Sequence, residues 1–143
     1  APTCPDRTAD QGTHRFTYSL YPHKGGWREG GSVQKAFELN LPLEAFILQK
    51  QEGPLPGKLS FLSADVPNVI IDTVKPAQNG DGIILRVYES SQCRGKVNIS
   101  SVLPFERVTE CNLMEENERD IPTKGKSFAF DIKPFEVKTF RLR

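Results

Sequence analysis

At 143 residues the chain can bury a sufficient core as one domain without a disulfide framework. Its 19 Lys plus Arg nearly match 18 Asp plus Glu, for a formal charge of +1 with no long run of one sign; this argues against a nucleic-acid groove or a polybasic membrane patch. Cys4, Cys93 and Cys111 cannot all pair and show no metal-ligand spacing, so free thiols in a reducing, cytoplasmic compartment are expected. No apolar run approaches a membrane span, and no charged-then-apolar leader is present. The formal glycosylation sequon Asn98-Ile99-Ser100 is therefore read as ordinary strand. The chain begins at Ala1 and its single methionine is Met114, so we expect a processed protein or a piece of a longer one.

Ala1 to Thr13 is rich in Pro, Asp and Gly with little to bury, and is expected to be extended. From Arg15 to Tyr21, Phe16, Tyr18 and Leu20 alternate with Arg15, Thr17, Ser19 and Tyr21, which predicts a half-buried strand ended by Pro22. A glycine-punctuated loop to Gly31 carries the only tryptophan, Trp27. The period then changes: Val33, Ala36, Phe37 and Leu39 predict two turns of helix near residues 32–39, with Ser32 as the cap and Asn40 and Pro42 as the close. Leu43 to Gln49 is strand-like in composition, residues 52–57 form a breaker cluster, and Leu59 to Leu62 reads as a short strand.

The stretch Val69 to Glu89 reads as a β-hairpin turning at Asn79-Gly80-Asp81-Gly82. An odd loop such as Gln78-Asn79-Gly80, with Gly80 left-handed, puts Val69, Ile71 and Thr73 on the core face with Ile83, Leu85 and Val87, and sets Asp72 opposite Arg86. An even loop would send Asp72 into the core, so it is rejected. Lys96 to Ser100 and Val108 to Leu113 read as further strands, with Cys111 a buried small hydrophobe; Met114 to Lys126 reads as a polar loop that need not be ordered. Phe128, Phe130 and Ile132 alternate clearly. After Lys133-Pro134, Phe135 and Val137 share one parity whereas Phe140 and Leu142 have the other, requiring either a bulge near Lys138-Thr139 or a strand covered on both faces. About eight short strands with Gly and Pro turns indicate a mainly β chain, an antiparallel β-sandwich with one short helix.

Chemistry is sparse. Asp10 and His14 would share a face of an extended chain, as a metal site could require, but no third or fourth ligand is evident; a turn Asp and a strand-starting His are the plainer reading. No nucleophile or phosphate-loop pattern appears. Asp6, Asp10 and Glu29 could be assembled as a glycosidase pair only by chance, given 18 acidic residues. Trp27 could stack on a sugar ring from its glycine loop, whereas a lone Trp beside a helix start more often packs locally.

Several stretches together resemble family 38 glycoside hydrolases, the class II α-mannosidases. They are residues 10–18, Leu20-Tyr21-Pro22-His23-Lys24-Gly25, residues 36–43, Lys75 with residues 84–89, and Phe135 to Phe140. Phe16-Thr17-Tyr18 with Pro22-His23-Lys24, and Ala1-Pro2-Thr3 with Pro5-Asp6, resemble the bacterial and cytosolic branch. The resemblance implies a retaining α-mannosidase whose Asp nucleophile, acid/base carboxylate and divalent metal, zinc or cobalt, lie in an upstream catalytic domain. It places no catalytic or metal residue in this chain, and so no cofactor. By the same resemblance, residues 44–143 would be the C-terminal β-sandwich and residues 1–43 a segment shared with or packed on an upstream β domain. Asp10, His14, Tyr18, Pro22 and His23 then become domain-contact candidates. The expected partners are the upstream catalytic domain and α-mannosides, with no nucleic acid or membrane, and exposed strand edges would invite an edge-paired homo-oligomer. The alternative is a stand-alone carbohydrate-binding sandwich using Trp27; an immunoglobulin-like module is disfavoured by the missing paired-Cys and Trp signature.

Overall fold

A computed structural model of the protein describes residues 11–49 and 52–143, which fall into two units, one ending at Pro42 and the other running Leu43–Arg143. In the second unit nine strands follow in order: β1 (Leu62–Ala64), β2 (Val69–Pro76), β3 (Ile83–Glu89), β4 (Gly95–Ser101), β5 (Val108–Cys111), β6 (Arg119–Ile121), β7 (Thr123–Lys124), β8 (Ser127–Ile132) and β9 (Val137–Leu142). They form two antiparallel sheets, β1-β4-β8-β7 and β2-β3-β9-β5-β6, so the chain is the mainly β sandwich its pattern predicts.

Alternation explains the core. Val97 and Ile99 from β4, and Phe128, Phe130 and Ile132 from β8, face Leu85 and Val87 from β3 and Phe140 and Leu142 from β9. Phe140 is fully buried, its ring 4.5 Å from Phe130 and 5.1 Å from Phe128. The parity change in the last strand is not a bulge, because β9 pairs with β3 without a register shift. Instead both faces of β9 are covered: Phe140 and Leu142 point into the core while Thr139 and Arg141 are buried on the opposite face. Phe135 and Val137 remain exposed.

The hairpin is half as predicted. Val69 pairs with Glu89 and Ile71 with Val87, but a bulge at Asp72 shifts the register, so that Thr73, not Asp72, lies opposite Arg86. The turn between Pro76 and Ile83 is therefore even, and the odd residue sits in the strand. Thr73 leaves the core face, and its hydroxyl donates to Asp72 Oδ2 at 2.8 Å. Gly80 is left-handed as expected, at φ 77. Gly82, at φ 91, is the stricter position, since a Cβ there would strike the Leu142 carbonyl oxygen.

Three other expectations change. The first short strand is Leu62–Ala64 rather than Leu59 to Leu62. Met114 to Lys126 is ordered, holding β6 and β7. Cys111 is indeed buried, with Sγ 3.7 Å from the Thr139 carbonyl, and burial pushes its thiol up; Leu113, expected beside it, is exposed. Cys93 is also a free thiol, and Cys4 lies outside the described residues.

The first unit contains α1 (Ser32–Asn40), one residue longer than predicted. Its cap is Gly31 at φ 64, not Ser32, whose hydroxyl instead lies 3.4 Å from His23 Nε2. Arg15 to Tyr21 forms no strand, and neither does Leu43 to Gln49. Phe16, Tyr18 and Leu20 are almost fully exposed. The alternation is present, but no strand among the described residues pairs with it. No helix among the described residues is long and apolar enough to cross a membrane.

Candidate domain-contact site

Of the residues singled out from sequence, Asp10 lies outside the described residues. His14 is exposed in the extended stretch, and Tyr18 is 86% exposed with its ring 6.4 Å from Phe16. Pro22 is exposed, whereas His23 is tied into its own loop. Its ring lies 5.4 Å from that of Tyr21 and against Gly30, where a Cβ would collide with the imidazole. Tyr21 Oη donates to the Gly30 carbonyl at 3.0 Å and closes the loop that carries Trp27. Trp27 is 41% exposed, and the Arg28 guanidinium sits 4.6 Å from its ring centroid, a cation–π contact that occupies one face. Tyr21, Ser19, Ser32, Ala36 and Leu39 line a groove of about 470 Å³ along the helix. No group of three or more His, Cys, Asp or Glu side chains placed to hold a metal occurs among the described residues.

Two polar constellations in the sandwich were not legible as sites. On the face of the second sheet opposite the core, Arg141 is only 3% exposed. Its Nη1 donates to Asn79 Oδ1 at 2.9 Å and its Nη2 to the Glu115 carbonyl at 3.0 Å, while Nε lies 3.3 Å from Glu118 Oε1 without hydrogen-bond alignment. Glu118 is gripped by both terminal nitrogens of Arg143, at 2.6 and 2.8 Å, and by Thr109 Oγ1 at 2.9 Å. The Arg143 bonds, with help from Thr109, hold its carboxyl down at about 2 despite partial burial. Glu115 is held low by the Gln78 amide and Lys75. The second constellation is at one end of the sandwich. Glu89 is fully buried and accepts from Asn68 Nδ2, the Ser91 amide and the Phe135 amide at 2.8 to 3.0 Å. Burial pushes its carboxyl up, but these donors together outweigh that and leave it low. Phe135 adopts φ 56 in the turn that brings its amide to Glu89.

A cleft of about 600 Å³ opens between the sheets, and Glu110, Arg119 and Lys138 reach it from the core-facing side of the second sheet. Glu110 accepts from Lys138 and Arg119, each at 2.6 Å. Burial raises its carboxyl, yet the two cations more than offset this. A glycosidase acid needs a carboxyl kept protonated towards neutral pH. Among the described residues every carboxyl group with a displaced titration, Glu89, Glu110, Glu115, Glu118 and Asp120, is displaced downward. The first two clusters brace loops, and the third ties β5, β6 and β9 together through Glu110. The parity change between Phe135 and Val137 and Phe140 and Leu142, which allows a strand covered on both faces, was the sequence signal for the first cluster, and the end of the 84–89 match was the signal for Glu89.

The two-sheet sandwich has a counterpart among known families, and the chain belongs to the glycosyl hydrolases of family 38: the C-terminal β-sandwich domain of that family matches residues 68–140, from the start of the hairpin into β9. Among its relatives, alpha-mannosidase G of Dictyostelium discoideum is 34% identical over 99% of this chain and 13% of its own length. Alpha-mannosidase 2C1 of Mus musculus is 33% identical over 99% of this chain and 14% of its own. A putative mannosylglycerate hydrolase of Halalkalibacterium halodurans is 24% identical over 92% of this chain and 14% of its own. The chain thus spans about one seventh of the length of these relatives.

Proposed function

We propose that the chain is the C-terminal, non-catalytic portion of an α-mannosidase that hydrolyses terminal α-D-mannose residues, and that it seats on the catalytic part of the same longer polypeptide in the cytoplasm. The observation that carries this reading is the family match across the sandwich, joined to relatives about seven times longer that are named as mannosidases. Residues 1–43 are then the segment completed by an upstream β domain, and 44–143 the sandwich proper. The exposed, alternating Phe16, Tyr18 and Leu20 support that division, because such a face gains stability only when another strand or surface covers it. His14, Tyr18 and Pro22 lie in or beside that face and His23 supports the loop behind it, which is what domain-contact residues would do. The nucleophile, acid/base and divalent metal belong to the upstream part in this reading.

Sugar binding at Trp27 is the second reading, favoured by its partly exposed indole and opposed by Arg28 over the ring. A fluorescence titration with mannose separates them: quenching that saturates supports it, and an unchanged spectrum removes it. The first reading is tested with a chromogenic α-mannoside plus zinc or cobalt. The chain alone should be silent, and mixing it with the upstream remainder of its polypeptide should give turnover. Metal-dependent turnover by the chain alone would overturn the proposal.

A further inference from the structure

Residues 112–118 form a loop that is fastened far more firmly than closing β5 to β6 requires. Asn112 Oδ1 accepts the amides of Met114 and Glu116, each at 2.9 Å, and Glu115 and Asn117 stand at φ 66 and 56, a conformation that non-glycine residues keep only when their surroundings enforce it. The enforcement is visible. The Glu115 carboxylate takes the Gln78 amide at 2.7 Å and the Lys75 ammonium, its carbonyl takes Arg141, and the Leu113 carbonyl takes Arg86 Nη2 at 3.3 Å. Held at the tip of this frame are two apolar side chains in water, Leu113 at 62% and Met114 at 75% exposure. Neither belongs to the sandwich core. A polar tip would close the loop equally well, so the anchoring presents an apolar knob whose ordering cost is already met before any contact forms. Methionine beside leucine suits a recess of irregular shape.

We propose that Leu113 and Met114 form a preorganised knob that enters an apolar recess on the upstream part of the longer polypeptide. This rests on the reading above. The occupant is chosen on length: the chain spans only about one seventh of its relatives, leaving a large partner surface in the same polypeptide.

Met114 is the only methionine of the chain, so its conversion to the sulfoxide by hydrogen peroxide, followed by peptide mass, reads its exposure directly. In the isolated chain it should oxidise at the rate of free methionine; in the complete polypeptide it should be slowed by about tenfold. Replacing the tip, Leu113→Lys with Met114→Lys, should leave the isolated sandwich folded and weaken its association with the upstream part. Association and turnover on mixing, with equal Met114 oxidation in both states, would overturn the knob while leaving the functional reading standing. Failure to associate would instead count against that reading. Concentration-dependent protection in the isolated chain would assign the knob to a second copy and overturn the proposal.

Discussion

Two stretches of this chain have the same alternation and opposite fates. Phe16, Tyr18 and Leu20 alternate in sequence and are exposed, whereas Phe128, Phe130 and Ile132 line one side of β8 and are buried. Their local preferences are alike, since aromatic and aliphatic residues at every second position suit a pleated surface. The difference is the partner. β8 pairs with β4 over six residues and with β7 at its start, and its inward face meets Phe140 from the other sheet. No strand among the described residues pairs with 15–21. A period of two thus reports a face that needs covering; whether the chain supplies the cover depends on contacts far away in sequence.

That contrast can be broken from either side. The largest effect is expected at Phe140→Ala, which removes a fully buried ring between Phe128 and Phe130 and should cost about 3–5 kcal/mol by urea unfolding. Glu89→Ala should cost roughly 1–3 kcal/mol, because the donors of Asn68, Ser91 and Phe135 lose a buried acceptor. Gly82→Ala should cost more than about 1 kcal/mol, through positive φ and the collision with Leu142.

Acid should weaken the sandwich. Glu118 titrates at about 2 in the fold against an ordinary 4.5, so it binds its proton more readily when unfolded; its stabilisation is complete above about 4.5 and is lost as pH falls towards 2. Glu89, Glu110 and Glu115 add to the loss in the same direction. The midpoint denaturant concentration should therefore drop over that window, and Glu118→Gln should flatten the drop. The smallest effect belongs to residues 15–21: Tyr18→Ser in the isolated chain should change stability by less than about 0.5 kcal/mol, since the ring covers almost nothing. A large loss there would mean that the segment is already docked.

The limits of the sequence reading were physical. Val69 and Ile71 were placed correctly on the core face with Leu85 and Val87 because apolar parity fixes the far end of the hairpin. Thr73 was misplaced because one extra residue in the strand at Asp72 and one extra in the turn give the same parity beyond it. Residues 114–126 look like a solvated loop because their stabilisation is ionic, and a carboxylate gripped by Arg143 has the same letter as one in water. Arg141 carried the opposite clue, a cation in a strand whose neighbours Phe140 and Leu142 are apolar, which is the mark of a strand covered on both faces. The candidate contact residues rest on the family resemblance alone, since an exposed aromatic and a strand aromatic are indistinguishable until the partner strand is found.

Backbone amide exchange over residues 13–20 tests most directly the proposal that the segment carrying Phe16, Tyr18 and Leu20 is covered by a surface of a longer polypeptide. In the isolated chain these amides should exchange within seconds while those of β8 and β9 stay protected; in the complete polypeptide the 13–20 amides should slow by about two orders of magnitude or more. Protection already present in the isolated chain, or fast exchange in both states, would contradict the account.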